Sequence, residues 1–305
     1  MTIDFKALGA KAAATGVDMT KATTGGGDYE PPVVGPTRLR FIGYIELGKQ
    51  KGQFKGIPTV KPKVQLIFEL SGPKHPPVVL PDGTKMPHRV TIEENFSLNE
   101  KAALYKLFTR MNYAGTASHI AQLLGEAYKG TVVHRKYPKT GEDKADPSKW
   151  TGISVELKTK ADGYTIQPPR FEKVDPETQE PTGEMGVLSV DPAISPMRCF
   201  IWDLADMEQW ASIFIDGQYP ARTVDGKEVP GKSKNVFQAR VMQAENFKGS
   251  PIHALLLSNG APLDVPDAEV PDAHEEDGVQ EQAKPTAPAN VPAGAAADDA
   301  LNGIV

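Results

Sequence analysis

The sequence is poor in cysteine, in net charge and in long apolar runs. Cys199 is the one cysteine among 305 residues, which excludes an internal disulfide and a cysteine-based metal cluster. No apolar run is long enough to span a bilayer, and the N-terminus shows no signal pattern. We therefore expect a protein of a reducing compartment, the cytoplasm, with no membrane partner.

Patterns typical of enzymes are also scarce. The six histidines show no ligand spacing, and the G-x-S-x-G turn of serine hydrolases does not occur. Asp203, Asp206 and Glu208 lie close together, but acids at the start of a helix also complement its dipole. We predict no enzymatic activity, no catalytic residue, no metal and no cofactor. A nuclease that uses Asp203 and Asp206 is a remote alternative.

One nucleotide-binding pattern is present, in the segment GKEVPGKS at 226–233. A true phosphate-binding loop follows a buried strand and opens a helix, so that its amides cradle the phosphates. Here the preceding YPARTVD is polar and broken by proline. We interpret Ser233 as the N-cap of a helix that begins near Lys234. A P-loop nucleotide hydrolase is therefore an alternative that the sequence context disfavours.

Charge is unevenly distributed along the chain. Residues 261–305 carry ten acids and one lysine, which leaves 33 bases against 29 acids in the first 260 residues. This acidic tail has almost no large apolar side chain and is predicted to be disordered. Residues 1–36 are rich in glycine, proline and small polar residues, and are predicted to form a flexible arm at the N-terminus.

Alternation of apolar and polar residues predicts five strands between these ends. The segments are RLRFIGYIEL, KVQLIFEL, HRVTIEENF, YKGTVVHRKY and WTGISVELK. In the first of them, the predicted inward residues are Leu39, Phe41, Ile45 and Leu47. Arg38, Arg40 and Tyr44 are predicted to lie on the opposite, exposed face.

A helix is predicted between the third and fourth strands. SLNEKAALYKLFTRMN opens with Ser97 and Glu100 at capping-box spacing and then places apolar residues on one helical stripe. HIAQLLGEA predicts a further short helix. This order predicts a mainly β protein with an OB-fold-like, five-stranded barrel over residues 37–184, and an unrelated α+β sheet is the alternative.

Residues 185–260 have a different character. MRCFIWDLADMEQWASIFIDG and SKNVFQARVMQAENF predict a strand followed by helices around Trp202, Trp210, Phe214 and Phe237. A small second lobe is possible on this pattern, but we expect a small α/β extension that packs on the barrel.

Lysines interleaved with aromatic rings distinguish the two hairpin loops of the predicted barrel. Residues 49–63 hold five lysines, one phenylalanine and no acid, and residues 138–150 join the last two strands. In OB-folds these two loops flank the binding groove. Cations neutralise successive phosphates and exposed rings stack on bases, so the pattern predicts a surface for single-stranded DNA.

The candidate contact residues lie on these loops and the adjoining strands. They are Arg38, Arg40, Tyr44, Lys49, Lys51, Phe54, Lys55, Lys61, Lys63, His134, Arg135, Lys136, Tyr137, Lys139, Trp150, Lys158 and Lys160. For each residue taken singly, a solvated hairpin with core aromatics is the alternative interpretation.

With these features, the chain resembles bacteriophage single-stranded DNA-binding proteins of replication and recombination. The matching stretches are RLRFIGYIELGK, KVQLIFELSG, LLGEAYKGTVVHRK and WTGISVELK, together with the acidic tail. The resemblance implies an OB-fold core, coating of unpaired DNA without sequence readout, and a location in the cytoplasm of a bacterial host. A phage structural or assembly protein whose β-barrel mediates protein contacts is the alternative.

The resemblance also implies a role for the acidic tail. In that family the tail contacts replication proteins, such as polymerase or helicase-primase, and competes with DNA for the basic groove. Carried over, the tail residues would be Glu275, Glu276, Asp277, Asp298 and Asp299. The densest acids lie before the tip, which departs from the family pattern. The sequence leaves the oligomeric state open, including a homo-oligomer.

Overall fold

The computed structural model describes residues 31–54, 57–80, 82–139, 142–159, 163–224 and 227–268, without the side chains of residues 54, 222–224 and 227. The strands are β1 (Gly35–Phe54), β2 (Ile57–Ser71), β3 (Val78–Val79), β4 (Lys85–Met86), β5 (Arg89–Asn95), β6 (Ala127–Tyr137), β7 (Gly152–Glu156), β8 (Lys158–Thr159), β9 (Gly163–Tyr164), β10 (Arg170–Val174), β11 (Pro181–Val187), β12 (Arg198–Phe200), β13 (Arg222–Val224) and β14 (Lys227–Val229). The α-helices are α1 (Ala103–Met111), α2 (Met207–Ser212), α3 (Val236–Met242) and α4 (Pro251–Ser258), and 3-10 turns lie at Ile120–Leu123, Pro147–Lys149 and Trp202–Leu204. None of the helices within these ranges is long and apolar enough to cross a membrane.

The protein is mainly β, as predicted, and its main sheet is open. The strands follow the order β5-β2-β1-β6-β7, with antiparallel neighbours, and β12 adds to β1 in parallel. The five strands of this path are the five that the sequence predicts. In the described part of the chain the two end strands, β5 and β7, do not pair with each other. The predicted closed barrel is therefore not observed.

β1 and β2 form a longer hairpin than the sequence predicts. Residues 49–63 were predicted to be a loop, but β1 continues to Phe54 and β2 begins at Ile57, with Lys49 opposite Pro62 and Lys51 opposite Val60. We call residues 49–63 the arm. An exposed two-stranded ribbon carries polar residues on both faces, so its composition is similar to that of a loop. The prediction of a loop was wrong for this reason.

Irregular pairing changes the predicted alternation along β1. The β1–β2 register shifts between Phe41 and Gly43 and again between Glu46 and Gly48. Each bulge inserts an extra residue, so the side chains that follow point to the opposite face. Tyr44 consequently lies in the same core as Phe41, whereas Ile45 lies in a second core on the other face of the sheet. The predicted placement of Tyr44 on an exposed face was wrong.

Outside the arm, β1 and β2 are buried on both faces. The inner core joins β1, β2, β5, β6 and β7 to α1, whose Leu104, Leu107 and Met111 are buried as predicted. The outer core joins the other face of β1 and β2 to Phe200, Trp202, Trp210, Phe237 and residues of α4. Residues 200–213 and 237–256 therefore pack against the sheet. Phe214, predicted to lie at the centre of this region, is 49% exposed.

The helix after β5 begins later than predicted. Its N-cap is Ala102, which makes no side-chain capping bond, so the predicted capping box of Ser97 and Glu100 was wrong. Ser97 Oγ instead accepts from the Asn99 amide, and Asn99 Oδ1 accepts from the Lys101 amide. Short polar side chains that bond nearby amides in this way compete with helix formation. The 3-10 turn at Ile120–Leu123 does have a capping box, formed by His119 and Gln122.

Candidate functional site

The outer face of β2 and β5 is covered by the C-terminal part of the chain. Ile67 lies in the outer core, and Thr91, its partner on β5, is buried. The Glu69 carboxylate accepts from the amides of Ile194 and Ser195, both at 2.8 Å. A ligand groove on this face, where OB-folds bind oligonucleotides, is therefore filled by the protein itself.

A buried ion-pair network fastens α3 to this face. The Glu93 carboxylate lies 3.0 Å from Lys63 Nζ and 3.1 Å from Arg240 Nη2, and it accepts from Gln65 Nε2 at 3.0 Å. Burial alone would raise the pKa of Glu93, but Arg240 and then Lys63 hold that pKa below its ordinary value. Lys63, predicted to contact DNA, is held in this network by a partner on another strand, and its side chain is 16% exposed.

Two further predicted residues are held inside the fold. Tyr44 is fully buried and donates from its hydroxyl to Glu46 Oε1 at 2.8 Å, and burial raises its pKa. The Arg40 guanidinium donates to the carbonyl oxygens of Gly125, Val190 and Asp191. Tyr44 is therefore not available to a strand of DNA, whereas Arg40 is half-buried and held by these carbonyls. Arg38 is half-buried between β2 and β6.

The arm presents lysines to solvent. Lys49 and Lys51 are both exposed and, two residues apart on one strand, point to the same side. Lys51, whose side chain is 76% exposed, pairs with Glu245 at 2.8 Å. Lys61, on β2, is half-buried. Ile57 and Val60 are exposed apolar residues of the same ribbon, so the arm combines cations with apolar surface.

The residues that follow α3 hold the base of the arm. The Glu245 amide donates to the Lys49 carbonyl at 2.9 Å, and the Lys49 amide donates to Asn246 Oδ1 at 2.6 Å. The Gln50 side chain donates to the carbonyls of Leu47 and Arg240. These backbone bonds fix where the arm leaves the sheet, which positions its exposed lysines.

The β6–β7 hairpin carries an exposed ring among lysines. Lys136, Tyr137 and Lys139 are exposed, and the Tyr137 side chain is 43% exposed. Its cross-strand partner is Gly152, where an added Cβ would lie 2.7 Å from the tyrosine ring. The glycine thus leaves room for the ring to lie flat over the strand, with its other face towards solvent.

The tip of this hairpin is ordered by polar contacts. Glu142 accepts from the Lys139 amide at 2.9 Å and from the Thr151 hydroxyl at 2.6 Å, and the Thr151 hydroxyl is the main cause of its lowered pKa. Trp150 is half-buried, and its Nε1 donates to the Asp143 carbonyl at 3.0 Å. The tryptophan therefore helps to shape the loop while part of its ring stays exposed.

Other predicted residues of this region have partners within the protein. His134 Nε2 lies 2.7 Å from the Pro32 carbonyl, and Arg135 Nε lies 2.9 Å from Glu156 Oε1. Lys158 Nζ lies 3.4 Å from Glu94 Oε1 and 5.2 Å from the centre of the Tyr164 ring. The side chain of Phe54, with Lys55, Lys160 and the acidic positions at 275–277, 298 and 299, lies outside the described residues.

The structure separates the two lysine-bearing hairpins in the sheet. β6 pairs with Gly35–Arg40 of β1, and its last residues continue beyond Gly35. The arm begins at Lys49, at the other end of β1. The predicted surface is therefore two separate patches along the sheet, and a strand of nucleic acid would have to pass from one to the other.

Enzyme-like alternatives receive no support from the geometry. The Ser233 amide donates to the Asp267 carbonyl and the Lys232 carbonyl accepts from Tyr219, so these backbone groups do not form a phosphate cradle. The N-cap of α3 is Asn235, whose amide donates to Ser233 Oγ, so the predicted capping by Ser233 was wrong by two residues. Asp206 caps α2 by accepting from the Gln209 amide, which lowers its pKa. Across the described ranges no group of His, Cys, Asp and Glu residues has the arrangement of a metal site.

One basic and aromatic surface was missed at the sequence level, on the solvent face of α1. The signal was available, because Lys101–Gly125 contains three bases and no acid.

Comparison with known proteins adds no relative: no family model, no curated protein and no solved structure matches this chain.

Proposed function

We propose that the protein binds single-stranded DNA without sequence readout, as a non-enzymatic coating protein of phage DNA replication or recombination. The observation that carries the proposal is the arm, an acid-free two-stranded ribbon whose Lys49 and Lys51 are exposed. The β6–β7 hairpin supports it, since Lys136 and Lys139 flank the exposed ring of Tyr137.

The physical basis is the pairing of cations with rings. Lysine contacts to phosphates release counterions and carry no sequence information. Stacking of a base on an exposed aromatic ring is tolerant of sequence, because every base has a π-face. A surface of lysines and tyrosine thus favours unpaired strands, whose bases are accessible, over duplex DNA.

We further propose that the sheet is a form of the OB-fold barrel. The path β5-β2-β1-β6-β7 is the third, second, first, fourth and fifth of the predicted strands. In a closed barrel the third and fifth would also pair. Side chains bridge that gap here: Glu94 of β5 accepts from the Tyr164 hydroxyl and from Lys158. Both edges line one small cavity of about 40 Å³.

The acidic tail fits the same function as a competitor. A polyanion tethered to a cationic surface is present at high local concentration and is displaced when a strand binds. We propose that the acids at Glu275–Asp277 act in this way and that the tail contacts replication proteins. At low salt the protein would therefore bind DNA more weakly than the same protein without its tail.

We expect that replacing both Lys49 and Lys136 with alanine, one lysine from each hairpin, will reduce the salt dependence of DNA binding. Each phosphate contact to a single strand contributes about 0.7 to the slope of log K against log salt, so the double variant should lose about 1.4. The measurement is fluorescence anisotropy of a labelled oligothymidylate at several salt concentrations.

The matched control removes two exposed lysines of another region, Lys74 and Lys85, and so changes net charge equally. The slope of this control should equal that of the unaltered protein. If the hairpin variant and the control have the same slope, the hairpins are not the contact surface. If the unaltered protein does not bind the oligonucleotide, the proposed function is wrong.

A further inference from the structure

The solvent face of α1 is a basic surface without acids. The run Lys101–Gly125, bounded by Glu100 and Glu126, contains Lys101, Lys106 and Arg110 and no carboxylate. Its length is unusual in a chain in which acids outnumber bases. Since α1 buries its apolar stripe in the inner core, the charged residues of this run are directed to solvent.

Tyrosines share this face with the cations. The exposed positions of α1 are Tyr105, Lys106, Thr109 and Arg110, which span about 140° of the helix circumference at 100° per residue. Tyr105 is 38% exposed, and Tyr113, two residues beyond the helix, is 37% exposed. Tyrosine is not needed to keep such a face soluble, and the lysines alone would do so. The Tyr113 ring also packs edge to face on the buried Tyr128, with ring centres 6.1 Å apart, so Tyr105 is the ring that calls for a separate explanation.

The surface continues from α1 onto β10. The Arg170 guanidinium lies over the Tyr113 ring at 5.8 Å from its centre, and Lys129 Nζ donates to the Arg170 carbonyl at 2.6 Å. An arginine guanidinium over an aromatic ring offers its own plane, one of the groups on which unpaired bases stack. Glu172 lies two residues further along β10 and is exposed, and it is the acid closest to Arg170 in sequence.

The same surface reaches Tyr164 of β9 and Lys158 of β8, a residue that the sequence pattern had also proposed to contact the strand. Arg110 donates to the Tyr164 carbonyl, and Lys158 lies over the Tyr164 ring at 5.2 Å. Glu94, the acid beside Lys158, is occupied by this lysine and by the Tyr164 hydroxyl. Cations therefore follow one another from β8 across α1 to β10, and the exposed Glu172 lies beside Arg170 at the β10 end.

We propose that the α1 face, together with Arg170, is a second contact surface for single-stranded nucleic acid, which extends towards Lys158 of β8. This inference rests on the proposed function and extends the path of the same strand. Lys101 and Lys106 would contact phosphates, and Tyr105 and the Arg170 guanidinium would stack on bases. An acidic peptide would use the cations but would leave the exposed ring of Tyr105 without a role, which favours nucleic acid as the ligand.

The test compares two sets of variants of the full chain on an oligothymidylate of about 30 nucleotides, long enough to reach both surfaces. Lys101→Ala/Lys106→Ala should reduce the salt slope by about 1.4, while Lys74→Ala/Lys85→Ala should not change it. Tyr105→Ala should weaken binding between about 5-fold and 100-fold, and Tyr105→Phe, which keeps the ring, should restore it. Circular dichroism of each variant checks that α1 is still folded.

The possible results separate this inference from the proposed function. If the hairpin variant loses slope and the α1 variant does not, the α1 face is not a contact surface, and the proposed function stands. If the unaltered protein binds no oligonucleotide, both fail. A synthetic peptide of residues 269–282 provides a further comparison. Loss of peptide binding in the α1 variant, with oligonucleotide binding intact, would overturn the inference in favour of a protein-binding face.

Discussion

Replacing Arg240 with alanine is expected to lower the free energy of unfolding by about 3–5 kcal/mol. The Arg240 and Glu93 side chains are each 8% exposed and lie 3.1 Å apart, so removal of the guanidinium leaves a buried carboxylate short of a partner. Lys63 alone would then have to neutralise it. Urea denaturation at neutral pH measures the difference, with tryptophan fluorescence as the probe because Trp202 and Trp210 are buried in the adjacent core.

The pH dependence gives this prediction a second measurement. Burial raises the pKa of Glu93, but Arg240 and Lys63 outweigh burial and lower it in the folded protein. The carboxylate therefore contributes stability at pH values above its unfolded pKa, and this contribution is lost as the pH falls through the lower, folded pKa. Without Arg240 the folded pKa rises, and the ionised form becomes unfavourable. The stability difference between the two proteins should thus be largest at neutral pH and should shrink as the pH falls, first through the raised folded pKa of the variant and then through the lowered folded pKa of the unaltered protein.

Lys51→Ala is the control for Arg240→Ala, since it removes an exposed partner of Glu245 at a similar distance. Exposed ion pairs contribute little because water screens them, so this variant should unfold at the same urea concentration as the unaltered protein. Equal stability of the two variants would mean that the buried pair does not fasten α3 to β5. A difference that did not change between pH 7 and pH 4 would rule out Glu93 as the group responsible.

Local periodicity explains which parts of the fold could be predicted. Alternation over a few residues identifies a strand, and a stripe such as Leu104, Leu107 and Met111 identifies a helix, because each pattern depends only on the segment itself. Tyr44 was misplaced because a bulge depends on how β1 pairs with β2, and no pattern within β1 reveals it. The helix start at Ser97 was misplaced because Asn99 offers the backbone a competing turn.

The candidate site was less predictable than the fold, since a cation is available only if the fold leaves it exposed and outside a buried ion pair. Lys63 and Lys49 are indistinguishable in the sequence of the arm, yet Lys63 meets Glu93 on another strand and Lys49 is exposed. Arg40 is held by carbonyls around residue 190, far along the chain. By contrast, the exposure of Tyr137 and its neighbours could be predicted, because the end of a hairpin is exposed in most folds.

Alanine at Gly48 is expected to lower the free energy of unfolding by about 2–5 kcal/mol and to disturb the arm. Gly48 lies at the second bulge of β1 with φ of +70°, a conformation that costs an L-residue roughly 1–2 kcal/mol. An added Cβ would lie 2.3 Å from ring atoms of Trp202 and 2.9 Å from the Ala244 Cβ. Overpacking of a filled core of this kind costs about 1–3 kcal/mol more.

Gly52→Ala separates this packing effect from the general cost of changing a glycine in the arm. Gly52 lies four residues further along β1, has no positive φ, and its added Cβ would meet only Thr59 Oγ1, at 3.4 Å. The free energy of unfolding of the Gly52→Ala variant should be unchanged or slightly raised, because alanine restricts the conformations of the unfolded chain. Gly48→Ala should also weaken oligonucleotide binding, since moving Trp202 and Ala244 displaces the neighbouring Glu245 amide that holds Lys49. If the two variants unfold at the same urea concentration, the close packing of Trp202 on Gly48 does not exist, and the arm is not positioned from this side of the sheet.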